Sequence, residues 1–217
     1  MSEQYWTEQY TRQAALFIHD GNPKRPHALL TSGKHSSGFF DSTHITQNPE
    51  LLNSACRDLL QKMAEEMHES NEMLAQARWV VGSAMGAVNI AYQAAKLQQC
   101  LSAFTEPAEQ GGEKKMILKR FNIRRGDRVL VVEDVMTTGG TTLKTLNALI
   151  ERGADILPVI GVLVNRSDKD VLKDWRIASL IHRPMPMWEP DECPLCKQGS
   201  KAIRPKGRNW GKLTAAY

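Results

Sequence analysis

No apolar run in this sequence approaches the roughly 20 residues that cross a bilayer, so a membrane-spanning helix is excluded. The first ten residues are polar and carry Glu3 and Glu8, which does not fit a secretory signal, and the cytoplasm is the expected compartment. Gly-x-Gly-x-x-Gly is missing, and no Gly-Lys-Ser/Thr follows a glycine loop. A dinucleotide fingerprint and a Walker A loop are thereby excluded. Repeats and low-complexity segments are absent. Cysteine is scarce, with Cys56, Cys100, Cys193 and Cys196 alone. Cys56 and Cys100 fall in helical apolar patterns and read as core thiols. Cys193 and Cys196 form one Cys-Pro-Leu-Cys, half of a four-ligand zinc set. There is no second pair, and the nearest histidine, His182, lies eleven residues upstream. That favours a tight turn under a C-terminal lobe over a zinc or redox motif. Acids are absent from Cys193 to Tyr217, where Lys197, Lys201, Arg204, Lys206, Arg208 and Lys212 stand. Without interleaved aromatic repeats, this stretch reads as a solvated basic end near an anionic substrate rather than a nucleic-acid-binding tail.

What is present is an ordinary globular composition, and 217 residues suit one domain with a proper core. Apolar periodicity predicts helices over 5–18, 49–67, 87–98 and 143–152, with Pro49 at a helix start and Gly153 as a C-cap. Strands are expected at 79–81, 102–104, 128–132, 156–165 and 177–181, and two short ones within 27–41. Residues 106–115, polar around Gly111 and Gly112, read as a mobile loop or a hairpin tip. Strands alternating with helices imply an α/β fold, an open and mostly parallel sheet flanked by helices. Such sheets bind ligands beyond the carboxyl ends of their strands.

The segment from Val129 to Thr141 carries the most chemistry. An apolar run ends in Glu133 and Asp134, then a Thr/Gly loop opens a helical pattern. The carboxylates can accept hydrogen bonds from ribose hydroxyls. The loop amides, the hydroxyls of Thr137, Thr138, Thr141 and Thr142, and the helix N-terminus can hold a phosphate. Gly82-Ser-Ala-Met-Gly-Ala also follows a strand and opens a helix, which suits a diphosphate.

The Val129–Thr141 segment closely resembles the phosphoribosyl-pyrophosphate (PRPP) signature of the type I phosphoribosyltransferases. The resemblance implies that Thr137, Thr138, Gly139, Gly140 and Thr141 bind the 5-phosphate, and that Glu133 and Asp134 hold the ribose hydroxyls. It implies that Ser83, Ala84, Met85 and Gly86 form the pyrophosphate loop. Mg²⁺ is implied as cofactor, held mainly through PRPP with Asp134 as the candidate protein ligand. The segment Leu30–Asp41 is similar to the N-terminal motif of orotate phosphoribosyltransferases. It implies an orotate site made by Lys34, Phe39, Phe40, Thr137 and Arg166, the last matching a position used for the substrate carboxylate. The Cys-Pro-Leu-Cys tail resembles the C-terminal ends of one branch of these enzymes, and the likeness covers residues 12–205. One departure stands out: the segment after Phe104 has no basic residue until Lys114. The loop cations facing pyrophosphate therefore fall to Lys114 and Lys115. The implied whole is one phosphoribosyltransferase domain over 1–217, with a hood from about 1–45 and part of 182–217. A homodimer is implied, and no membrane or nucleic-acid partner. Two other readings stay open: a purine-base phosphoribosyltransferase, and a non-catalytic PRPP-binding regulator.

Overall fold

The computed structural model describes residues 1–67 and 77–215. The chain begins with α1 (Glu3–Arg12), β1 (Leu16–Ile18), β2 (His27–Leu29), β3 (His35–Ser36), β4 (Gly38–Phe40), α2 (Thr43–Thr46) and α3 (Pro49–Glu66). The central part holds β5 (Trp79–Ser83), α4 (Val88–Gln98), β6 (Leu101–Gln110), β7 (Glu113–Ile117), β8 (Arg128–Met136), α5 (Gly140–Glu151) and β9 (Asp155–Asn165). It ends with β10 (Val171–Leu172), β11 (Trp175–His182), β12 (Met187–Trp188), α6 (Pro194–Lys197), β13 (Ala202–Ile203) and α7 (Arg208–Thr214).

The main sheet has the order β10-β11-β9-β8-β5-β6-β7. The five strands from β11 to β6 run parallel, and β10 and β7 add antiparallel edges. Successive residues of a strand face opposite sides, so Val80, Leu130 and Val132 enter one core cluster while Val81, Val129 and Val131 enter the other. The first cluster lies under α3 and α4, whose buried stripes include Leu52, Leu59, Met63, Ile90 and Ala94. The second lies under α5, through Leu146 and Leu149. The expected α/β layering is therefore present, and the carboxyl ends of β5, β8 and β9 lie side by side.

A four-stranded sheet, β12-β3-β2-β13, joins residues from both ends of the sequence. His27 and Ala28 pair with Ala202 and Ile203, and His35 and Ser36 pair with Trp188 and Met187. Phe17, Ala28, Leu30, Trp210 and Leu213 form its own small core. Arg25 ties this region to the last helix, donating from Nε and Nη2 to the Leu213 carbonyl at 3.0 and 2.9 Å.

Two expectations require correction, and one choice between two readings is decided. The helix expected over 5–18 ends at Arg12, and Ala14 adopts a positive φ of 50°. Ala15 to Ile18 then follow strand-like alternation, with Leu16–Ile18 paired to Phe40–Gly38. A few apolar residues satisfied both periods, and cross-strand pairing decided between them. The segment 106–115, read as a mobile loop or a hairpin tip, is the hairpin. It forms the arms of a hairpin, with Glu109 opposite Lys114 and Ala108 opposite Lys115, turning at Gly111 and Gly112. Cys100 is only half-buried in the turn after α4, whereas Cys56 is a core thiol whose pKa burial pushes up to about 12.

Candidate active site

Strand β8 runs four residues beyond its expected end, so Glu133 and Asp134 are strand residues rather than loop residues. The parallel neighbour β9 fixes them, Glu133 lying opposite Val162, while pairing with β5 ends one residue earlier, at Val132. Glu133 is buried and Asp134 is half-exposed. Burial first, then the Asp134 charge, raises the Glu133 pKa well above the carboxylate range. Burial also raises Asp134. The donors they have are weak or local. Thr142 Oγ1 donates to Glu133 at 3.4 Å, the Asp134 amide to Glu133 at 3.1 Å, and the Val135 amide to Asp134 at 2.7 Å. Neither carboxylate has an ion-pair partner among the described residues. Two adjacent acids short of compensating charge are a site for hydroxyl donors or a cation.

Helix α5 starts directly after this strand. Its N-cap is Gly139 at φ 76°, and no side chain caps it. The first internal amide bond is Leu143 N to Gly139 O, which leaves the amides of the opening turn for an anion. A Cβ on Gly139 would stand 2.6 Å from Leu172 Cδ1, so the tight loop requires glycine there. Thr138, Gly140 and Thr141 are exposed around this end, and Thr137 is half-buried.

The 83–86 segment meets the same carboxylates. A Cβ on Gly86 would fall 2.1 Å from Asp134 Oδ2, so only glycine lets the two pass. Met85 projects into solvent, 82% exposed, and the Ala84–Met85 peptide is cis. Ser83 is buried and already bonded to Thr145 Oγ1 at 3.0 Å, which also meets Thr105 Oγ1 at 2.7 Å. Its hydroxyl therefore locks β5 to α5 and also bonds the Glu133 carboxylate, rather than pointing outward.

Arg166, at the end of β9, is 3% exposed. Its Nη2 donates to Ser36 Oγ at 2.9 Å and to the Gly38 carbonyl at 3.1 Å. Nε is buried without a partner, and no carboxylate pairs with the guanidinium among the described residues. Burial lowers its pKa to about 10. A buried guanidinium with spare donors and no counter-ion is prepared for an anionic ligand.

The remaining sequence candidates divide. Phe40 is 2% exposed and packs edge-on to Tyr10 at 5.3 Å, so it is core and not a ring platform. Strand alternation turns its neighbour to the other face: Phe39 is half-buried, 5.9 Å from the Trp210 ring. Lys34 does not stand free, because its Nζ pairs with Glu189 at 2.8 Å. Lys114 and Lys115 stand on the hairpin beside its tip, where Lys115 pairs with Glu113 at 3.6 Å. Sequence reasoning missed Asp41, whose charge acts on both Asp134 and Tyr10. Its position beside Phe40 was the available signal.

Comparison with known proteins identifies the family. The family model described as phosphoribosyl transferase domain matches residues 42–188. The orotate phosphoribosyltransferase of Desulforamulus reducens is 34% identical over 194 residues, covering 89% of this chain and 94% of that protein. That of Caldicellulosiruptor saccharolyticus is 36% identical over 182 residues, covering 84% and 88%. The crystal structure of orotate phosphoribosyltransferase from Aeropyrum pernix superposes with a TM-score of 0.63 at 23% identity, over 80% of this chain and 91% of that one, and supports the fold. The chain belongs to the phosphoribosyltransferase family, among its orotate phosphoribosyltransferases.

Proposed function

We propose that this chain transfers the phosphoribosyl group of PRPP to orotate, forming orotidine 5′-monophosphate and pyrophosphate. The observation that carries the choice of base is Arg166, a buried cation with an unpartnered Nε and no acid beside it. Orotate brings a planar carboxylate that suits a guanidinium fork, and a purine base brings none.

The reaction displaces pyrophosphate from C1 of PRPP by a ring nitrogen of orotate. Positive charge develops on the ribose as the bond to pyrophosphate breaks. Glu133 and Asp134 accept from the 2- and 3-hydroxyls and favour that charge. Their raised pKa values reflect burial first, and hydroxyl donors offset the solvation that burial removes. The opening turn of α5, with Thr137, Thr138, Gly139, Gly140 and Thr141, holds the 5-phosphate. The amides of Met85 and Gly86 face the diphosphate, with Gly86 held against Asp134, while the Ala84 amide is taken by the Thr105 carbonyl at 2.8 Å and shapes the loop from behind. Phe39 and Thr137 border the base, and Arg166 takes its carboxylate. Lys114 and Lys115, on the hairpin, meet the leaving group when the hairpin folds over the site and excludes water.

Mg²⁺ fits this donor set: Asp134 and Glu133 offer hard oxygen ligands in a region of uncompensated negative charge. Asp134 is the residue that would touch it, the rest of its coordination coming from PRPP, and it would supply charge neutralisation at the pyrophosphate. The β12-β3-β2-β13 sheet, with neighbouring parts of 1–45 and 182–217, is read as a hood over the base. Four free cysteines suit a reducing compartment such as the cytoplasm. A homodimer follows from the family resemblance, and sedimentation would test it. The function itself is tested by orotate loss in ultraviolet absorbance with PRPP and Mg²⁺, alongside Asp134→Asn. Wild-type turnover with a strongly impaired variant is expected. Equal turnover by both, or none by wild type while PRPP still binds, would sink the reading.

A further inference from the structure

Outside the active site, one cluster of side chains stands unexplained. His27 of β2, His35 of β3, and Cys193 and Cys196 at α6 bring four ligand atoms within 4.8 Å of one another. His27 Nε2 lies 3.1 Å from His35 Nδ1, 3.5 Å from Cys193 Sγ and 3.6 Å from Cys196 Sγ. Cys196 Sγ lies 3.3 Å from His35 Nδ1. Zinc bonds of about 2.0–2.1 Å to nitrogen and 2.3 Å to sulfur give a tetrahedron with edges of about 3.3–3.8 Å. These four separations are close to those edges, and all six lie within 4.8 Å.

The surrounding bonds decide which atom of His27 points inward. Ser200 Oγ donates to the Arg25 carbonyl at 2.6 Å, so its lone pair faces His27 Nδ1 at 2.8 Å. His27 therefore carries its proton on Nδ1 and presents the lone pair of Nε2 to His35 and the thiols. Arg25 O also receives His19 Nε2 at 2.9 Å, because His19 Nδ1 is taken by the Gly21 amide. This is the outer hydrogen bonding that orients metal-binding imidazoles. The local chain also serves it. Cys193 is the N-cap of α6 and Cys196 its third residue, so one helical turn aims both sulfurs the same way.

We propose that His27, His35, Cys193 and Cys196 bind a structural zinc ion. Binding releases the two thiol protons to solvent. Two thiolates and two neutral imidazoles then leave the bound ion with no net charge, which suits a site where His27, His35 and Cys193 are all buried. All four cysteines are free thiols, so no disulfide competes for the sulfurs. The ion would staple β2 and β3 to a segment some 166 positions further along the chain. It also adjoins the base site: His35 is a ligand, and Ser36, the next residue, holds Arg166. The zinc would thus fix the floor from which Arg166 is aimed, and it plays no part in Mg²⁺ chemistry.

The test uses the full chain, purified reduced and without a polyhistidine tag. Elemental analysis should find one zinc per chain. Cobalt(II) added to chelator-stripped protein should give the visible bands of a tetrahedral ion with thiolate charge transfer. Alkylation mapped by mass spectrometry should modify Cys193 and Cys196 only after chelation, with Cys56 and Cys100 unchanged by it. Chelation should lower Tm by roughly 10 °C, and zinc but not Mg²⁺ should restore it. Cys193→Ser/Cys196→Ser should abolish cobalt uptake, and should that variant fail to fold, the wild-type spectrum and alkylation pattern decide. Wild-type protein without zinc that takes up no cobalt, a Cys193–Cys196 disulfide in the reduced preparation, or undiminished cobalt bands in the double variant would each overturn the site.

Discussion

Replacing Arg166 by methionine separates the price of burying a charge from its use. Burial brings the Arg166 pKa down to about 10 from an ordinary value above 12. At about 1.4 kcal/mol per pKa unit, holding the guanidinium there costs about 3 kcal/mol. Its bonds to Ser36 Oγ and the Gly38 carbonyl return a similar amount, each hydrogen bond to a charged group contributing about 1.5–3 kcal/mol. Arg166→Met removes both terms, so Tm should move by only a few degrees. Activity should not survive as well. The orotate carboxylate would lose its charged partner, worth about 3 kcal/mol, or roughly a hundredfold in kcat/KM. Initial rates over a range of orotate at saturating PRPP, measured beside uracil, give the sharper reading. Uracil lacks the carboxylate, so the preference for orotate over uracil should collapse in the variant while the PRPP dependence stays. A variant that keeps its preference for orotate would refute the role of Arg166. Loss of PRPP binding with the fold intact would show that its anion is a phosphate instead.

Glu133→Gln should abolish turnover and change the pH dependence of stability. The Glu133 pKa is raised in the fold, so the native state keeps a proton that the unfolded chain loses near 4.5. Native stability should thus fall as pH rises from about 4.5 through the raised value. The variant should flatten that part of a Tm-against-pH curve, and an identical curve for both proteins would contradict the burial argument. Gly86→Ala should cut kcat/KM by tenfold or more, since its methyl would press on Asp134 at 2.1 Å and overpacking costs about 1–3 kcal/mol. Equal rates for Gly86→Ala and wild type would show that the loop yields without consequence. The double change Lys114→Ala/Lys115→Ala should lower kcat by about tenfold to a thousandfold with Tm and orotate KM unchanged, because both side chains stand near the tip of a hairpin. Unchanged kcat would move the leaving-group cations elsewhere.

The parts of this protein legible in sequence are those where chemistry and local periodicity coincide. Apolar β8, its two acids and the Thr/Gly helix start lie within 13 consecutive residues, and each constrains the next. Alternation inside the sheet made β5, β9 and β11 readable for the same reason. Strand ends were less readable, because pairing rather than composition decides them: β8 continues through Asp134 since β9 offers partners as far as Asn165. Phe39 and Phe40 look equivalent in one dimension, so sequence alone does not separate a ligand-facing aromatic from a core one. In a strand they face opposite ways, and Tyr10 of a distant helix claimed one of them.

The four-residue cluster marks where local reading stops altogether. Cys193 and Cys196 announce two ligands at helical spacing, and a search along the chain from them reaches only His182, which is bonded elsewhere, to the Ser167 carbonyl at 3.0 Å. The completing imidazoles come from β2 and β3, whose place beside α6 is set by the pairing of His27 with Ala202 and of His35 with Trp188. That pairing is a property of the four-stranded sheet, and no short window of sequence contains it. β3 also supplies Ser36 to Arg166, and β4, two residues on, supplies the Gly38 carbonyl. A substitution that loosens the cluster should therefore be felt first as weaker orotate binding, with PRPP binding at the far strand ends left intact. Parallel KM measurements for the two substrates in Cys196→Ser would show the split, and an equal rise in both would mean that the hood and the phosphate loops move as one body.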